Sequence, residues 1–354
     1  MRIREASMLK SNRVDPILVV LLNWNGWQDT IECLESLRHL EQPQDILVFD
    51  NGSENDSVYQ LEEYLRTISI AQHEEAFELD GHVLHIVHYD VSGIVYRLCS
   101  LGENLGFSAG CNLAVKYAES MSYVYALLLN NDTVLESDSL RIMHEVFSDV
   151  SADIVIPQIR YFDRPEIIWN CGGEVSRWGR VRYYFSGKNG TYLEIKEAFP
   201  VGFATGCCML FKVDFFRSIG GFTEQFFFGE EDVELSFRLR RRGTHVVCAA
   251  RAIIYHKVGA SIRGKDELIF RKTFIHYLNR FINMRTQLPV AVWNAWRFLI
   301  VFKVAITLRK NFGKSSGEIL AFIRLLMRQS SRLPGVDKAL FKSVLSKGLD
   351  YNDG

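Results

Sequence analysis

Residues 17–26 read ILVVLLNWNG and decide the fold of this 354-residue chain. An apolar run of six residues without polar alternation predicts a strand buried on both faces, and the asparagines and glycine after it predict a turn. Similar runs that end in polar residues recur at 46–53 (ILVFDNGS), 95–112 and 123–133. Helical patterns separate these runs, so the sequence predicts βαβ units and a mainly parallel, doubly wound α/β sheet.

The remaining elements follow the same periodicities less regularly. We expect helices over residues 27–40, 57–65 and 109–119, strands over 154–158, 204–211, 246–249 and 252–255, and a helix that begins near Gly229 and ends at Gly243. Residues 68–94 are rich in His, Glu and Asp, do not fit this order and are interpreted as an inserted surface excursion. From Phe270 onward the pattern is helical with many basic residues.

The composition excludes several classes of protein. With 48% hydrophobic and 23% charged residues, 25 Gly and 7 Pro, the chain is not disordered, collagen-like or a disulfide scaffold. The net charge of −1 hides an asymmetry, because the residues from Phe270 to the end include 15 Lys and Arg but only 4 Asp and Glu. This segment carries +11 and the preceding residues −12, which suggests an anionic surface as the partner of the basic segment alone.

The seven cysteines indicate a reducing compartment. Their number is odd and their spacing includes no CxxC or metal-binding pattern, so we expect buried, reduced thiols in a cytoplasmic protein. The first fourteen residues include basic side chains but no apolar run behind them, and no secretory signal is expected.

Polar residues at the first two strand ends lie where ligands bind, because open parallel sheets hold ligands beyond the carboxyl ends of their strands. Asn23 and Asn25 either cap a helix and form a turn or hydrogen-bond a nucleobase or ribose. The fingerprint GxGxxG of dinucleotide-binding enzymes is absent here, which argues against hydride transfer. Asp50 either belongs to a turn or accepts a hydrogen bond from the ring N–H of uracil or thymine.

The third and fourth strand ends add a glycine-rich turn and a carboxylate. Residues 102–112 read GENLGFSAGCN, and glycines at a strand-to-helix turn permit either close approach of a ligand to the backbone or tight helix–strand packing. The free N–H groups of a helix that begins here would suit anionic oxygens. Asp132, in the segment LLLNNDT, is either a ligand of a hard cation such as Mg²⁺ or a cap of the next turn.

Together these four strand ends resemble GT-A glycosyltransferases of the family 2 kind, particularly their rhamnosyltransferase-like branch. The second half agrees with that family in order and spacing, with ATGCCM at 204–209, IGGFTE at 219–224, FGEEDVEL at 228–235 and HKVGAS at 256–261. The resemblance covers about residues 16–261. It implies an α/β GT-A fold, a doubly wound mixed sheet, followed by a basic C-terminal helical segment.

The resemblance implies a donor site at the strand ends. Asp50 corresponds to the residue that reads the base of the donor nucleotide. The other residues expected to bind the nucleotide sugar are Asn23, Asn25, Asn51, Asn104, Gly106 and Asn131.

The resemblance also implies a metal site and a catalytic pair. Asp132 occupies the place of the metal-binding motif, and His256 that of the second protein ligand to a divalent cation, Mg²⁺ or Mn²⁺. The motif reads Asn-Asn-Asp here, so only Asp132 supplies charge and the donor diphosphate is needed to complete the site. Asp232 corresponds to the catalytic base, with Glu231 beside it, in a first helical turn whose dipole favours carboxylates.

These features predict an inverting, metal-dependent glycosyltransferase with two parts. Residues 1–269 are expected to form the GT-A domain, with a nucleotide-binding half (1–135) and an acceptor and catalytic half (136–269), and residues 270–354 a basic helical segment. The donor is a nucleotide sugar, dTDP-rhamnose or a UDP-sugar, and the acceptor is a glycan or lipid-linked acceptor in cell-surface polysaccharide synthesis. The alternatives are an NAD(P)-linked enzyme and a non-catalytic nucleotide-sugar-binding assembly subunit.

The basic segment contains one markedly apolar stretch, residues 291–308. Asn294, Arg297 and Lys303 interrupt it, so we expect no membrane span. A helix with tryptophans and phenylalanines among basic residues suits a peripheral position at the cytoplasmic face of the cell membrane, and a packing or oligomerisation module is the alternative. No helix-turn-helix, zinc or RNP signature is present in the sequence, so no nucleic-acid partner is expected.

Overall fold

The computed structural model describes residues 16–193, 198–258 and 266–350. The first fourteen residues, in which no secretory signal is expected, lie outside these ranges. Within these ranges the strands are β1 (Ile17–Asn23), β2 (Asp45–Asp50), β3 (Ala71–Leu79), β4 (His82–Val91), β5 (Ile94–Ser100), β6 (Tyr125–Asn130), β7 (Thr133–Leu135), β8 (Ile154–Tyr161), β9 (Ile168–Asn170), β10 (Gly173–Val175), β11 (Val181–Tyr183), β12 (Ala198–Pro200), β13 (Cys208–Lys212) and β14 (Val246–His256). The helices are α1 (Trp27–Arg38), α2 (Ser57–Ile68), α3 (Phe107–Ser120), α4 (Ser139–Asp149), α5 (Val213–Ser218), α6 (Glu231–Arg242), α7 (Asp266–Gln287), α8 (Val290–Phe312), α9 (Ser316–Arg332) and α10 (Lys338–Lys347).

Twelve of the described strands form one mixed sheet in the order β12-β14-β8-β13-β6-β1-β2-β5-β4-β3, with β7 paired to β14 and β9 to β8. The central strands β5, β2, β1 and β6 are parallel, as the βαβ pattern predicts. β13 runs antiparallel between β6 and β8, whereas β14 is parallel to β8. The carboxyl ends of the four central strands therefore meet at one edge of the sheet.

Alternate residues of β1 explain why its sequence is apolar throughout. Ile17, Val19 and Leu21 pack with α1, α2 and α4 on one face, whereas Leu18 and Val20 pack with α3, α5 and α6 on the other. Burial on both faces contributes about 25 cal/mol per Å² of apolar surface removed from water, and it fixes the strand end that carries the polar residues. The seven cysteines are also buried and unpaired, as expected.

Helices α7–α10 share a third core with the second half of the sheet domain. Phe274 and Phe281 of α7 pack in one cluster with Phe226 and with Val233 of α6. Phe226 also pairs with Val336, between α9 and α10, through an isolated parallel β-bridge. The basic helical segment is therefore packed against the loop and helix that carry the predicted catalytic pair.

Residues 68–94 are regular structure rather than an irregular excursion. β3 and β4 form a hairpin that pairs antiparallel with β5 and extends the sheet at one edge. The sequence does not indicate this hairpin, because β3 is polar and mostly exposed and therefore lacks the apolar alternation typical of a half-buried strand.

The two strands expected between residues 246 and 255 are one strand, β14. Its pairing with β8 is interrupted by a bulge between Ala249 and Ile253. At the bulge the backbone carbonyl of Ala250 accepts a hydrogen bond from Gln158 Nε2 at 2.6 Å. The bulge thus satisfies a buried polar group without ending the strand, which periodicity alone does not reveal.

The strand expected over residues 204–211 begins only at Cys208. The residues before it form a turn, in which the Gly206 N–H donates to Asp232 Oδ1 at 2.9 Å. In a strand over the whole range, this N–H would be directed into the hydrogen-bond ladder of the sheet. The turn directs it to the carboxylate of Asp232 instead.

Helix α8 buries one side and exposes an apolar side. Trp293, Trp296 and Leu308 lie in the third core, whereas Leu299 and Phe302 are each 70% exposed. Among the residues that the structure describes, α8 is the helix that is long and apolar enough to cross a membrane, by length and composition alone. The sequence analysis did not assign a span here because charged residues interrupt the stretch.

Candidate active site

The register of β1 and β2 brings Asn23 and Asp50 together at the first two strand ends. The two residues are partners in the parallel ladder, and Asn23 Nδ2 donates to Asp50 Oδ2 at 2.6 Å. Ser53 donates to the same carboxylate through its backbone N–H at 2.9 Å and through its hydroxyl at 2.6 Å. Asp50 is fully buried and accepts all three hydrogen bonds, which leaves about one of the four acceptor positions of a carboxylate for a ligand.

Asn131 completes this cluster from the end of β6. Its Nδ2 donates to Thr30 Oγ1 at 2.9 Å and lies 3.3 Å from both Asn23 Oδ1 and the Gly26 carbonyl oxygen. The amide of Asn131 therefore holds the loop after β1 in place. Its neighbour Asp132 is the residue of the Asn-Asn-Asp segment that contacts the predicted second metal ligand.

Asn25 and Asn51 connect the loops that follow β1, β2 and β5. Asn25 adopts a positive φ of 57°, and its Oδ1 accepts from the Glu54 N–H at 2.8 Å. Asn51 Nδ2 donates to Asn104 Oδ1 at 3.2 Å and to the Gly106 carbonyl at 2.9 Å. The structure thus gathers the residues predicted to bind the nucleotide into adjoining loops, and it engages much of their hydrogen-bonding capacity in holding those loops together.

Two glycines of these loops are required by their backbone conformation. Gly52 has a φ of +69° and Gly106 a φ of +87°, values that side-chain-bearing residues rarely adopt. A Cβ atom at Gly52 would overlap the backbone of Glu103, and one at Gly106 would overlap the carbonyl oxygen of Phe227. The same carbonyl accepts the Phe107 N–H at 3.2 Å. The first N–H of α3 is therefore engaged, whereas the sequence predicted that the N–H groups at the start of this helix are free for anionic oxygens.

Asp132 and His256 come together because β14 pairs with β7, which aligns His256 with Thr133. Asp132 Oδ1 lies 3.1 Å from His256 Nε2, and both residues are buried. Burial lowers the pKa of His256, but Cys207 and Asp132 raise it above its ordinary value. Burial raises the pKa of the Cys207 thiol to about 11. Residues 259–261 of the HKVGAS segment lie outside the described residues.

This pair fits a divalent cation that takes its other ligands from a substrate. Two ligands at about 2.1 Å on adjacent octahedral positions lie about 3 Å apart. The 3.1 Å between Asp132 Oδ1 and His256 Nε2 matches that spacing. Within the described ranges no cluster of three or more His, Cys, Asp or Glu ligands occurs. The pair is therefore compatible with a cation site completed by phosphate and water, and it is not a closed metal centre.

Asp232 and Glu231 form an acidic pair in the first turn of α6. The Gly206 N–H donates to Asp232 Oδ1 at 2.9 Å, whereas Glu231 Oε2 has no hydrogen-bond partner among the described residues. Burial raises the pKa of both carboxyl groups, and the charge of Asp232 raises that of Glu231 further. The hydrogen bond from Gly206 opposes the increase at Asp232, so Asp232 ionises first and Glu231 retains its proton to higher pH.

Glu230, the residue before this pair, anchors the turn to the C-terminal helices. It adopts a φ of 80°, which is unfavourable for a residue with a side chain. Its buried carboxylate accepts from Arg280 Nε at 2.6 and 2.8 Å and from Asn283 Nδ2 at 2.8 Å. Helix α7 thus fixes the backbone that presents Asp232, across a sequence separation of 50 residues between Glu230 and Arg280.

Two aromatic rings connect the Asp132–His256 pair with the acidic pair. The Trp169 ring centroid lies 4.7 Å from that of His256 and 6.3 Å from that of Tyr183. Burial, and then the Asp232 carboxylate, raise the pKa of the Tyr183 phenol, so this ring lies within electrostatic reach of Asp232. Tyr183 remains 42% exposed, so its ring is accessible to a ligand.

We expect the pH dependence of catalysis to carry the signature of this acidic pair. A base must be ionised, and burial raises the pKa of Asp232 above the value of about 4 that is usual for aspartate. As the pH decreases, kcat should therefore begin to fall while the pH is still above 4. A kcat that stays constant down to about pH 4 and falls only below it would contradict the assignment of Asp232 as the base.

The same acidic pair should make stability depend on pH. Because the raised pKa favours the protonated folded state, the free energy of unfolding should decrease as the pair ionises above about pH 4. Rate profiles and thermal melts over one pH series measure both effects.

The structure forms three groups of polar residues: the loops around Asp50, the Asp132–His256 pair, and the Asp232–Glu231 pair at the start of α6. The chain belongs to glycosyl transferase family 2, because the model of that family matches residues 18–220, which is more than half of the chain. It is therefore a glycosyltransferase.

Curated relatives connect the chain with glycan biosynthesis. The low-salt glycan biosynthesis hexosyltransferase Agl10 of Haloferax volcanii is 24% identical over 187 residues, which cover 51% of this chain and 57% of that protein. The N-acetylglucosaminyl-diphospho-decaprenol L-rhamnosyltransferase of Mycobacterium tuberculosis is 35% identical over 68 residues, which cover 19% of this chain and 22% of that protein. The chain thus spans little more than half of the first relative and about a fifth of the second.

Solved structures identify the fold. The mannosyltransferase PcManGT from Pyrobaculum calidifontis, in complex with GDP-Man and Mn²⁺, superposes with a TM-score of 0.52 at 13% identity over 98% of this chain and 92% of that one. GalNAc-T7 with UDP, GalNAc and Mn²⁺ gives a TM-score of 0.52 at 14% identity over 70% of this chain and 44% of that one. At these identities the likeness shows the fold alone, and it confirms the predicted GT-A architecture.

The residues predicted from the sequence lie in neighbouring groups, but several residues that hold them in place were not predicted. Ser53 and Gly206 belong to the quoted motifs FDNGS and ATGCCM, so the signal for them was present. Thr30 and Arg280 stand outside every motif, and only the folded arrangement shows that they hold Asn131 and Glu230.

Proposed function

We propose that this glycosyltransferase moves a sugar from a nucleoside diphosphate donor to an acceptor hydroxyl, with inversion at the anomeric carbon and with a divalent cation. The observation that carries the proposal is the 3.1 Å approach of Asp132 Oδ1 to His256 Nε2, with the Asp232 carboxylate held on another element, α6. A cation at the first pair and a base on α6 suit a displacement in which the leaving group and the attacking hydroxyl lie on opposite sides of the sugar.

Asp132 and His256 are the residues that would hold the cation, Mg²⁺ or Mn²⁺. When bound, the cation supplies positive charge that stabilises the departing diphosphate. The 3.1 Å spacing of the two side chains supports this assignment. The complexes of PcManGT and GalNAc-T7 were crystallised with Mn²⁺, which supports the same requirement in this chain.

Asp232 acts as the general base for the acceptor. Its carboxylate is oriented by hydrogen bonds from the Gly206 N–H, at 2.9 Å to Oδ1, and from the Thr205 side chain, and it accepts the proton of the attacking hydroxyl. A bond forms between that hydroxyl oxygen and the anomeric carbon, the bond from the anomeric carbon to the diphosphate oxygen breaks, and the nucleoside diphosphate leaves. Glu231 retains its proton to higher pH than Asp232 and therefore does not compete as the base.

The donor proposed here is dTDP-rhamnose or a UDP-sugar. Uracil and thymine carry a ring N–H that a carboxylate accepts, and Asp50 has one acceptor position left after its contacts with Asn23 and Ser53. The similarity over 68 residues to a mycobacterial L-rhamnosyltransferase supports rhamnose as the sugar.

The acceptor proposed is a glycan or lipid-linked acceptor in cell-surface polysaccharide synthesis, and the place of action is the cytoplasmic face of the cell membrane. The basic segment supports a peripheral membrane position, since each Lys or Arg near an anionic leaflet contributes about 1 kcal/mol to binding. The exposed apolar side of α8, with Leu299 and Phe302, supports the same position.

A donor panel tests the proposed function. UDP-, dTDP- and GDP-sugars are incubated with the enzyme and Mn²⁺ or EDTA, and the release of nucleoside diphosphate is measured. We expect release from UDP- or dTDP-sugars that requires Mn²⁺, and a product whose anomeric configuration, determined by NMR, is opposite to that of the donor. Release from GDP-sugars alone would contradict the role of Asp50, and retention of configuration would contradict the role of Asp232.

A further inference from the structure

A groove of about 960 Å³ lies between the β10–β11 hairpin and helices α7 and α8. Its walls are largely apolar and include Trp178 and Val181 of the hairpin region and Trp296 and Leu299 of α8. Trp296 Nε1 donates to the Trp178 carbonyl at 3.1 Å, which joins the two walls. The groove is large enough for a substantial apolar ligand, because small-molecule sites commonly measure about 300–1,000 Å³.

The apolar surface of the groove continues along α8. Leu299, which lines the groove, is 70% exposed, and Phe302 and Ile306 are 70% and 61% exposed. Residues at these spacings lie on one side of a helix. A contiguous apolar surface of this kind marks a binding site when it borders polar groups.

The charged side chains that line the groove within the described residues are all cationic: Arg180, Arg280 and Lys303. Arg280 is engaged with the buried Glu230 carboxylate, whereas Arg180 and Lys303 are exposed. A ligand complementary to this groove therefore combines an apolar chain with an anionic group.

The groove borders the turn that presents Asp232. Tyr183 lines the groove, and its phenol lies within electrostatic reach of Asp232. Arg280 lines the groove from the other side and holds Glu230, two residues before Asp232. A molecule whose hydroxyl reaches Asp232 would extend its remaining part into the groove.

We propose that the groove binds the lipid chain of the acceptor, an amphiphile in which a long isoprenoid or acyl chain is joined through phosphate to the sugar that is glycosylated. The chain lies along Trp178, Trp296 and Leu299, and the phosphate faces Arg180 and Lys303. This inference rests on the proposed function, because it assigns the acceptor class to the site that contains Asp232. It is supported by charge complementarity and by the continuity of the groove with Tyr183.

Calorimetry with farnesyl phosphate as the probe tests this inference on the full chain. We expect one equivalent to bind, and we expect Leu299→Glu to weaken binding by about tenfold or more because it places a charge against the apolar chain. Leu320→Glu, an exposed leucine of α9 outside the groove, is the matched control and should bind like the parent protein. Arg180→Ala combined with Lys303→Ala should weaken farnesyl phosphate but not farnesol.

Other outcomes would overturn the inference. Equal binding of inorganic phosphate, or of farnesol, would reduce the groove to an anion site or a purely apolar one. Loss of binding to phosphatidylglycerol vesicles in Leu299→Glu, without any binding of farnesyl phosphate, would make the surface a membrane contact. A dimer of the parent protein that Leu299→Glu dissociates, again without ligand binding, would make it an interface between copies of this chain.

Nucleotide binding distinguishes failure of this inference from failure of the proposed function. Leu299→Glu should bind UDP or dTDP with Mn²⁺ as the parent protein does, since the strand-end loops lie apart from α8. Farnesyl phosphate binding without any nucleotide binding would overturn the proposed function and leave the groove assignment standing. Nucleotide binding without farnesyl phosphate binding would overturn the groove assignment alone.

Discussion

Replacing Asp232 with asparagine is expected to lower the kcat of sugar transfer by about 10²–10⁴-fold, which is the usual contribution of a positioned general base. Asparagine keeps the size of the side chain and retains an oxygen that accepts from the Gly206 N–H, but it does not take up a proton at neutral pH. The Kd of the donor nucleotide should remain unchanged, because Asp232 lies on α6 and the nucleotide loops follow β1, β2 and β5. Steady-state rates and calorimetry on the same preparation measure both quantities.

Asp214→Asn is the matched control for this variant. Asp214 is a largely exposed carboxylate at the start of α5, and the same substitution there should leave kcat within experimental error. Full transfer activity in Asp232→Asn would show that another group accepts the proton. Absence of transfer by the parent protein with every donor, together with intact nucleotide binding, would favour the alternative of a non-catalytic nucleotide-sugar-binding subunit.

Replacing Asp132 with alanine is expected to abolish the response of donor binding and turnover to Mn²⁺. Asp132 supplies the carboxyl group of the Asp132–His256 pair, and its loss leaves only an imidazole to hold a cation. Turnover should fall by about 10²-fold or more, since the leaving diphosphate loses electrostatic stabilisation that one preorganised group commonly provides. The measurement is a titration of Mn²⁺ at fixed donor, followed by nucleoside diphosphate release.

Asp138→Ala provides the control for that titration. Asp138 precedes α4, is only partly buried and makes no side-chain capping hydrogen bond, so its removal should not change the Mn²⁺ response. His256→Ala should resemble Asp132→Ala, because both side chains would contact the same ion. An unchanged Mn²⁺ response in Asp132→Ala would place the cation elsewhere or remove it from the reaction.

The parallel pairing of the central strands was predictable from the sequence, because apolar runs separated by helical patterns indicate βαβ units. The apolar run of β1 is buried on both faces, and the polar residue that ends it, Asn23, lies beside Asp50 as soon as β1 and β2 pair in parallel. The carboxylates of Glu231 and Asp232 also indicated the start of α6, since carboxylates favour a first helical turn. These features depend on short stretches of chain and on one simple packing rule.

The remaining features depend on contacts between distant parts of the chain. The β3 strand is exposed and polar, so only its pairing with β4 and β5 reveals it as part of the sheet. The hydrogen bonds from Arg280 to Glu230 join α7 to the turn before Asp232, and no local pattern marks Arg280. The same holds for Thr30, whose hydroxyl lies between Asn23 and Asn131.

Calorimetric titration with UDP, dTDP, GDP and NAD⁺, each with and without Mn²⁺, is the measurement to make first. If the strand-end loops hold a nucleotide and Asp132 and His256 hold a cation, UDP or dTDP will bind and Mn²⁺ will tighten that binding. Asp132→Ala will bind the same nucleotide without the Mn²⁺ effect. Binding of NAD⁺ alone, or no nucleotide binding in the presence of Mn²⁺, would contradict the proposed metal-dependent transfer from a nucleotide sugar.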